Sequence, residues 1–155
     1  MDNISSESSQ DLNSNEKLLA LLANLSLFLG GIILPIILWA TQKDKSKFVT
    51  FNSLQAIFYH IAYVVIIIVF VLFVAILLII SGIGLSGFAD SNSGDGEFPA
   101  FMIVMMILLY GGIFLLAIAV IGYSIYLGVK SYQGNIVKIP IIGNIVYKKV
   151  YGESK

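Results

Sequence analysis

Three stretches of this chain carry no charged side chain, residues 18–42, 48–89 and 98–129, and the charged residues are gathered into short blocks outside them. Crossing the hydrocarbon of a bilayer takes about 20 residues of helix at about 1.5 Å each, and every stretch reaches that length. The pattern predicts an all-α integral membrane fold. Its three hydrophobic helices fall at about 18–40, 52–82 and 99–129, and a short interfacial amphipathic helix at about 140–151 follows them.

Departures from uniform hydrophobicity refine the elements. Residues 48–60 mix Asn52, Ser53, Gln55 and His60 with Phe51, Leu54, Ile57 and Phe58. That mixture reads as the interfacial first turns of a helix whose buried part begins near Ile61. Ser81, Gly82, Gly84, Ser86 and Gly87 end this helix, residues 90–96 form a solvated loop of turn residues, and Pro99 opens the third helix, where a missing N–H costs least. Near the middle of the first stretch stand Gly30, Gly31 and Pro35. The expectation there is a kinked full span; a re-entrant hairpin is the alternative. After Pro140 the apolar residues Ile141, Ile142, Ile145, Val146 and Val150 oppose Asn144, Lys148 and Lys149, the pattern of a helix lying on a leaflet.

Composition agrees with a lipid-facing chain: 58% of the 155 residues are hydrophobic and only 12% charged, half the density of a soluble domain, about 25%. Every cation is Lys, and their placement sets an orientation. Lys43, Lys45 and Lys47 lie in the first loop, and Lys130, Lys138, Lys148, Lys149 and Lys155 lie near or in the C-terminal tail. Lysine-rich loops stay in the cytoplasm. The expected location is therefore the cell (inner) membrane, with loop 41–47 and the tail cytoplasmic and loop 81–98 outside. Residues 1–15 are acidic and polar and read as a disordered N-terminal tail ahead of a transmembrane domain over 16–151.

Candidate chemistry is narrow. There is no Cys, which removes disulfides, thiolate metal sites and a Cys nucleophile. The net charge of +0 argues against nucleic acid as a partner. Residues 82–87 match the G-x-G-x-x-G spacing of dinucleotide sites, but they follow an apolar helix where that chemistry needs a strand, so a helix stop is the better account. His60 is the sole histidine and has no second His or Cys to share a metal. Asn52, Gln55, Tyr59 and Tyr63 share a helix face and either line an aqueous path or hydrogen-bond to a neighbouring helix, the commoner use; Asn24 and Ser26 admit the same two readings. The spans hold no carboxylate of the kind that pumps use, and no base accompanies a serine nucleophile. Ser26/Gly30 and Ser124/Gly128 are small-xxx-small pairs that permit close helix approach.

Several of these residues fall in a familiar order. Glu16-Lys17-Leu18-Leu19-Ala20, Leu22-Ala23-Asn24-Leu25-Ser26, Pro35-Ile36-Ile37-Leu38-Trp39, Lys43-Asp44-Lys45-Ser46-Lys47-Phe48-Val49, Phe51-Asn52 with Gln55-Ala56, and Lys130, Gln133-Gly134 and Lys138-Ile139-Pro140 resemble the Tic-twenty-like family of short bacterial membrane proteins. The resemblance runs from about Glu16 to Pro140. Lys47 and Leu54 depart from it, where Pro and Lys are usual. It implies a multi-pass architecture. Its relatives range from a chloroplast inner-envelope translocon subunit to magnetosome membrane proteins linked to crystal growth, so it leaves the activity open.

The recognisable residues gather at one membrane face, which makes Lys43, Lys45, Phe48, Asn52, Gln55, Gln133, Gly134 and Pro140 a candidate cytoplasmic docking or packing face. The function expected is that of a non-enzymatic multi-pass protein without cofactor or metal, a partner-binding or assembly and translocation accessory. Its partners are the lipid bilayer and another membrane protein or a second copy of itself. The alternative is an oligomeric small pore or transporter component.

Overall fold

The computed structural model describes residues 12–80 and 100–152, with side chains of the second block from residue 103. Most of the expected N-terminal tail, the glycine run and loop at 81–98, and Pro99 lie outside the described residues. Every element described is helical: α1 (Ser14–Asn24), α2 (Ser26–Leu29), α3 (Ile33–Gln42), α4 (Lys47–Ile80), α5 (Ala100–Tyr132) and α6 (Ile142–Tyr151), with no strand among them. Two helices, α4 and α5, are long and apolar enough to cross a membrane. At 34 residues α4 is about 50 Å long, well beyond the hydrocarbon thickness of about 30 Å.

The expected kinked span over 18–40 is not formed as one helix. The first apolar stretch is instead divided among α1, α2 and α3. Gly30 and Gly31 have φ of 155° and 59°, values that glycine adopts at little cost and other residues avoid. Both N–H groups fall back on the Ser26 carbonyl, at 3.1 and 2.7 Å. Beyond this turn α3 packs against α1. Pro35 therefore kinks nothing: it sits in the first turn of α3, where its missing N–H has no helical use. With ten residues, α3 extends about 15 Å, half a bilayer.

Local chemistry fixes the other ends. Glu16 accepts from the Asn13 N–H at 3.0 Å in a capping box, so α1 begins inside the expected disordered tail. The Ser46 hydroxyl accepts from Val49 N–H at 3.3 Å at the start of α4. Gly134, at φ 83°, closes α5 by a Schellman motif, with Gly134 N–H on Ser131 O at 2.9 Å and Asn135 N–H on Lys130 O at 3.0 Å.

The chain divides into two compact units. The first, from residues 12–62 and 120–152, holds a core of Phe51, Leu54 and Val146, with Trp39, Ile57, Ile142, Tyr147 and Tyr151 packed on it. Residues 48–56 of α4 are buried on every side, so the expected interfacial turns are an enclosed core helix. The apolar side of α6, centred on Val146, packs on Phe51 and Leu54. Gly143 lets α6 lie close on the connector before it, since a Cβ at that position would lie 2.6 Å from Lys138 Cα. Ile141, just before α6, has φ 67° and ψ −63°, and Ile142 N–H reaches Pro140 O at 2.8 Å. This is a positive-φ γ-turn, which costs a β-branched residue about 1–3 kcal/mol.

The second unit, residues 63–80 and 100–119 of those described, contains no charged side chain. Val69, Phe73, Ile107 and Leu115 are among its many exposed apolar residues, an outward-facing hydrophobicity that suits lipid. Within it a Cβ on Gly112 would come 2.5 Å from Phe70 Cζ, so the Phe70 ring lies directly on the α5 backbone.

Gly143→Ala is expected to destabilise the first unit by about 1–3 kcal/mol, since the obstructing atoms are backbone. Gly122→Ala, with nothing within 4 Å of the added Cβ, is expected to be neutral or to stabilise by up to about 1 kcal/mol through helix propensity. Denaturant unfolding in detergent, read by the fluorescence of Trp39, compares the two.

Candidate functional site

Enclosing the first turns of α4 obliges its polar side chains to find partners, because an unpaired buried polar group costs about 1–3 kcal/mol. Asn52, 1% exposed, solves this with three segments. Its Nδ2 donates to Phe48 O at 2.9 Å. Its Oδ1 accepts from Asn24 Nδ2 of α1 at 3.0 Å and from the Ser131 hydroxyl of α5 at 2.6 Å. Asn24 Nδ2 also reaches Ser131 Oγ at 3.0 Å and Ala20 O at 2.9 Å. An amide nitrogen carries two protons, so these three acceptors share them. The result is a closed triangle of side chains that joins α1, α4 and α5.

One turn along α4, Gln55 is fully buried and serves the connector between α5 and α6. Its Nε2 donates to Val137 O at 3.0 Å, while its Oε1 accepts from Ile139 N–H at 3.1 Å. The side-chain amide thus pairs with the extended connector as a neighbouring strand would. One turn further, Tyr59 donates its hydroxyl to Val120 O at 3.2 Å. Asn52, Gln55 and Tyr59, which share a face, accordingly hydrogen-bond to neighbouring segments rather than line an aqueous path. His60 Nδ1 lies 2.7 Å from Ala56 O; its Nε2 and the Ser53 hydroxyl are buried without a hydrogen-bond partner. Among the described residues no group of three or more His, Asp or Glu side chains is placed to hold a metal ion.

The small-residue pairs separate. A Cβ on Gly128 would meet Leu21 and Leu25 at 3.0 and 3.3 Å, so this end of α5 receives α1 within the same chain. Gly30 lies outside any helix, and the Ser26/Gly30 pair forms no helical face.

Of the eight residues expected to form one face, Phe48, Asn52, Gln55 and Gly134 are buried, whereas Lys43, Lys45, Gln133 and Pro140 are exposed. The first four pack the bundle and are closed to an outside partner. Ser131 escaped the sequence reading: a lone serine at the end of an apolar helix gives no signal, and its partners lie 79 and 107 residues away. The aromatic group beside the core was missed as well. Tyr147 and Tyr151 stack at 4.7 Å, Phe51 meets Tyr147 edge-on at 6.0 Å, and Lys138 Nζ lies 3.5 Å from the Tyr147 ring centre.

Two measurements probe this arrangement. Asn52→Leu leaves Asn24 and Ser131 without their shared acceptor and is expected to destabilise by about 1–3 kcal/mol. Adding Asn24→Leu is expected to cost much less than its single effect, a coupling read from a double-mutant cycle of unfolding. The second concerns pH. Burial first, then the neighbouring Tyr147 and Glu16, pushes the Tyr151 phenol up to about 12 from 10.0. A raised folded pKa gives stability that is complete below pH 10 and lost as the pH climbs towards 12, because the unfolded chain releases this proton more readily. Tyr151→Phe is expected to flatten that part of the stability profile.

Set beside known proteins, the chain matches no curated protein and no solved structure. A profile of the MamF/MmsF family, the magnetosome magnetite crystal formation protein family, matches residues 15–146. This overturns the assignment to the Tic-twenty-like family: among the residues that suggested it, Phe51-Asn52 and Gln55-Ala56 are packing residues of the enclosed helix and report architecture more than lineage. With most of its length matched, this chain belongs to the magnetosome magnetite crystal formation protein family.

Proposed function

We propose that this protein works in the magnetosome membrane as a non-enzymatic organiser of magnetite crystal formation, holding other membrane components in place rather than conducting solutes. The observation that carries the reading is the family match over residues 15–146, joined to two helices of membrane-crossing length. The polar interior supports it too: Asn24, Asn52, Gln55 and Ser131 are committed to one another and to backbone, and so are not displayed to a lumen.

The topology that goes with this reading has two crossings and a re-entrant hairpin. Lys17 lies against Gly134 at the end of α5, while α3 returns the chain to Lys43 and the start of α4. All eight lysines of the described residues belong to the first unit, which favours the cytoplasmic side for that whole unit. The apolar outer residues of the hairpin, Phe28, Leu29, Ile33 and Ile37, are exposed and suit lipid.

The chain has no native Cys, so single-cysteine labelling tests the topology directly. Ser14→Cys and Lys45→Cys are expected to react with a membrane-impermeant maleimide from the same side; reaction from opposite sides would restore three crossings. For function, the gene is removed from a magnetite-forming cell that carries it and then restored, and crystal size is measured by electron microscopy. Smaller or fewer crystals are expected on removal, and unchanged crystals would sink the reading. Purified protein in liposomes is expected to give no selective solute flux; sustained flux would favour the pore.

A further inference from the structure

A second surface of the first unit is not used by the packing described above. The inner side of α6 is occupied by Phe51 and Leu54, yet Ile141 and Ile145 remain 78% and 61% exposed. Asn144, Lys148 and Lys149 are also exposed and share the outer side of the helix with Ile145. Two projecting isoleucines, Ile145 within one turn of both lysines and Ile141 about two turns before them, are costly in water and unsuited to a polar partner. They match the boundary of a bilayer, where apolar side chains enter the acyl region and ammonium groups stay with the headgroups.

The depth is right for this. Phe51 and Leu54, on which α6 rests, lie in the first two turns of α4, at the start of the uncharged stretch that begins at Phe48 and continues to Ile80. The charge is right as well. The whole chain is neutral, but residues 1–62 and 120–155, the first unit, carry all nine Lys against six Asp and Glu, an excess of three positive charges, while the remaining three carboxylates, Asp90, Asp95 and Glu97, fall between them. The γ-turn at Ile141 holds that side chain outwards at a conformational cost, and burial of its apolar surface in lipid would offset the cost.

We infer that the outer face of α6 is a membrane-binding surface for anionic phospholipid, with Ile141 and Ile145 inserted at the acyl boundary and Lys148 and Lys149 at the phosphates. Each lysine near such a leaflet strengthens binding and does so only where the lipid is anionic. The inference rests on α4 and α5 spanning the bilayer, and its test keeps the two apart.

The test uses the full chain with one cysteine at Asn144, carrying an environment-sensitive dye. It is reconstituted into vesicles of phosphatidylcholine alone, or of three parts phosphatidylcholine to one part phosphatidylglycerol, each with a headgroup-level nitroxide lipid as quencher. A parallel sample carries the dye at Leu72→Cys in α4, with an acyl-chain nitroxide. Quenching at position 144 is expected to be about threefold stronger in the anionic vesicles. The increase is expected to disappear in Lys148→Gln/Lys149→Gln, and Ile145→Ser should weaken quenching in both compositions; Trp39 fluorescence checks that each variant is folded. Quenching at Leu72 without quenching at 144 overturns the lipid surface and leaves the spans standing. Quenching at neither position overturns both. Quenching at 144 that ignores phosphatidylglycerol, or shielding that disappears when the protein is diluted in lipid, overturns the inference in favour of a neutral contact or a second copy.

Discussion

The structure depends on the cost of burying amides. Residues 48–56 of α4 are covered on all sides, and two of them, Asn52 and Gln55, bring polar groups that need partners in a low-dielectric interior. Each amide meets the need by reaching a different part of the chain: Asn52 takes Asn24 and Ser131, and Gln55 takes the backbone at Val137 and Ile139. The apolar contacts around them, Phe51 with Val146 and Gly128 with Leu21, could tolerate small slippage. The hydrogen bonds could not, because a displaced amide loses donor and acceptor together. Register in the first unit is therefore set by polar groups, while most of the contact area is apolar.

This division of labour explains which parts of the fold are legible in the sequence. Long uncharged runs announce α4 and α5, and their observed bounds differ from expectation by few residues where both are described. Hydropathy measures the average environment of a segment and carries no information on reversal of direction. The stretch from 18 to 42 consequently resembled one span, although two successive glycines with positive φ turn it back. The same limitation affected residues 48–60. Mixed polar and apolar side chains suit a headgroup region and suit a polar core equally well, and only the partners, 28 to 84 residues away, distinguish the two.

For the candidate site, the sequence supplied the donors and the structure supplied the pairing. Asn24, Asn52 and Gln55 stand out as amides in apolar surroundings. Ser131 and the Tyr147/Tyr151 pair do not, since serine near a helix end and tyrosine near a membrane surface are both ordinary. Motif order was a weaker guide to lineage than to architecture. Among the residues that suggested another family, Phe51, Asn52, Gln55 and Ala56 are packing residues of the enclosed helix, whereas Lys43, Lys45 and Gln133 are exposed.

Gln55 also has a consequence for the order of events as the chain is made. Its two backbone partners lie 82 and 84 residues downstream, and Ser131 lies 79 residues beyond Asn52. At about 5–20 residues per second, Gln55 waits roughly 4–17 seconds after synthesis for its partners, whereas Asn52 finds Phe48 and Asn24 already made and waits only for Ser131. During that interval the start of α4 needs water, headgroups or the insertion machinery as a temporary partner. The polar core of the first unit closes only when residues 131–139 have emerged, so the start of α4 is completed after the whole of α5 has been made.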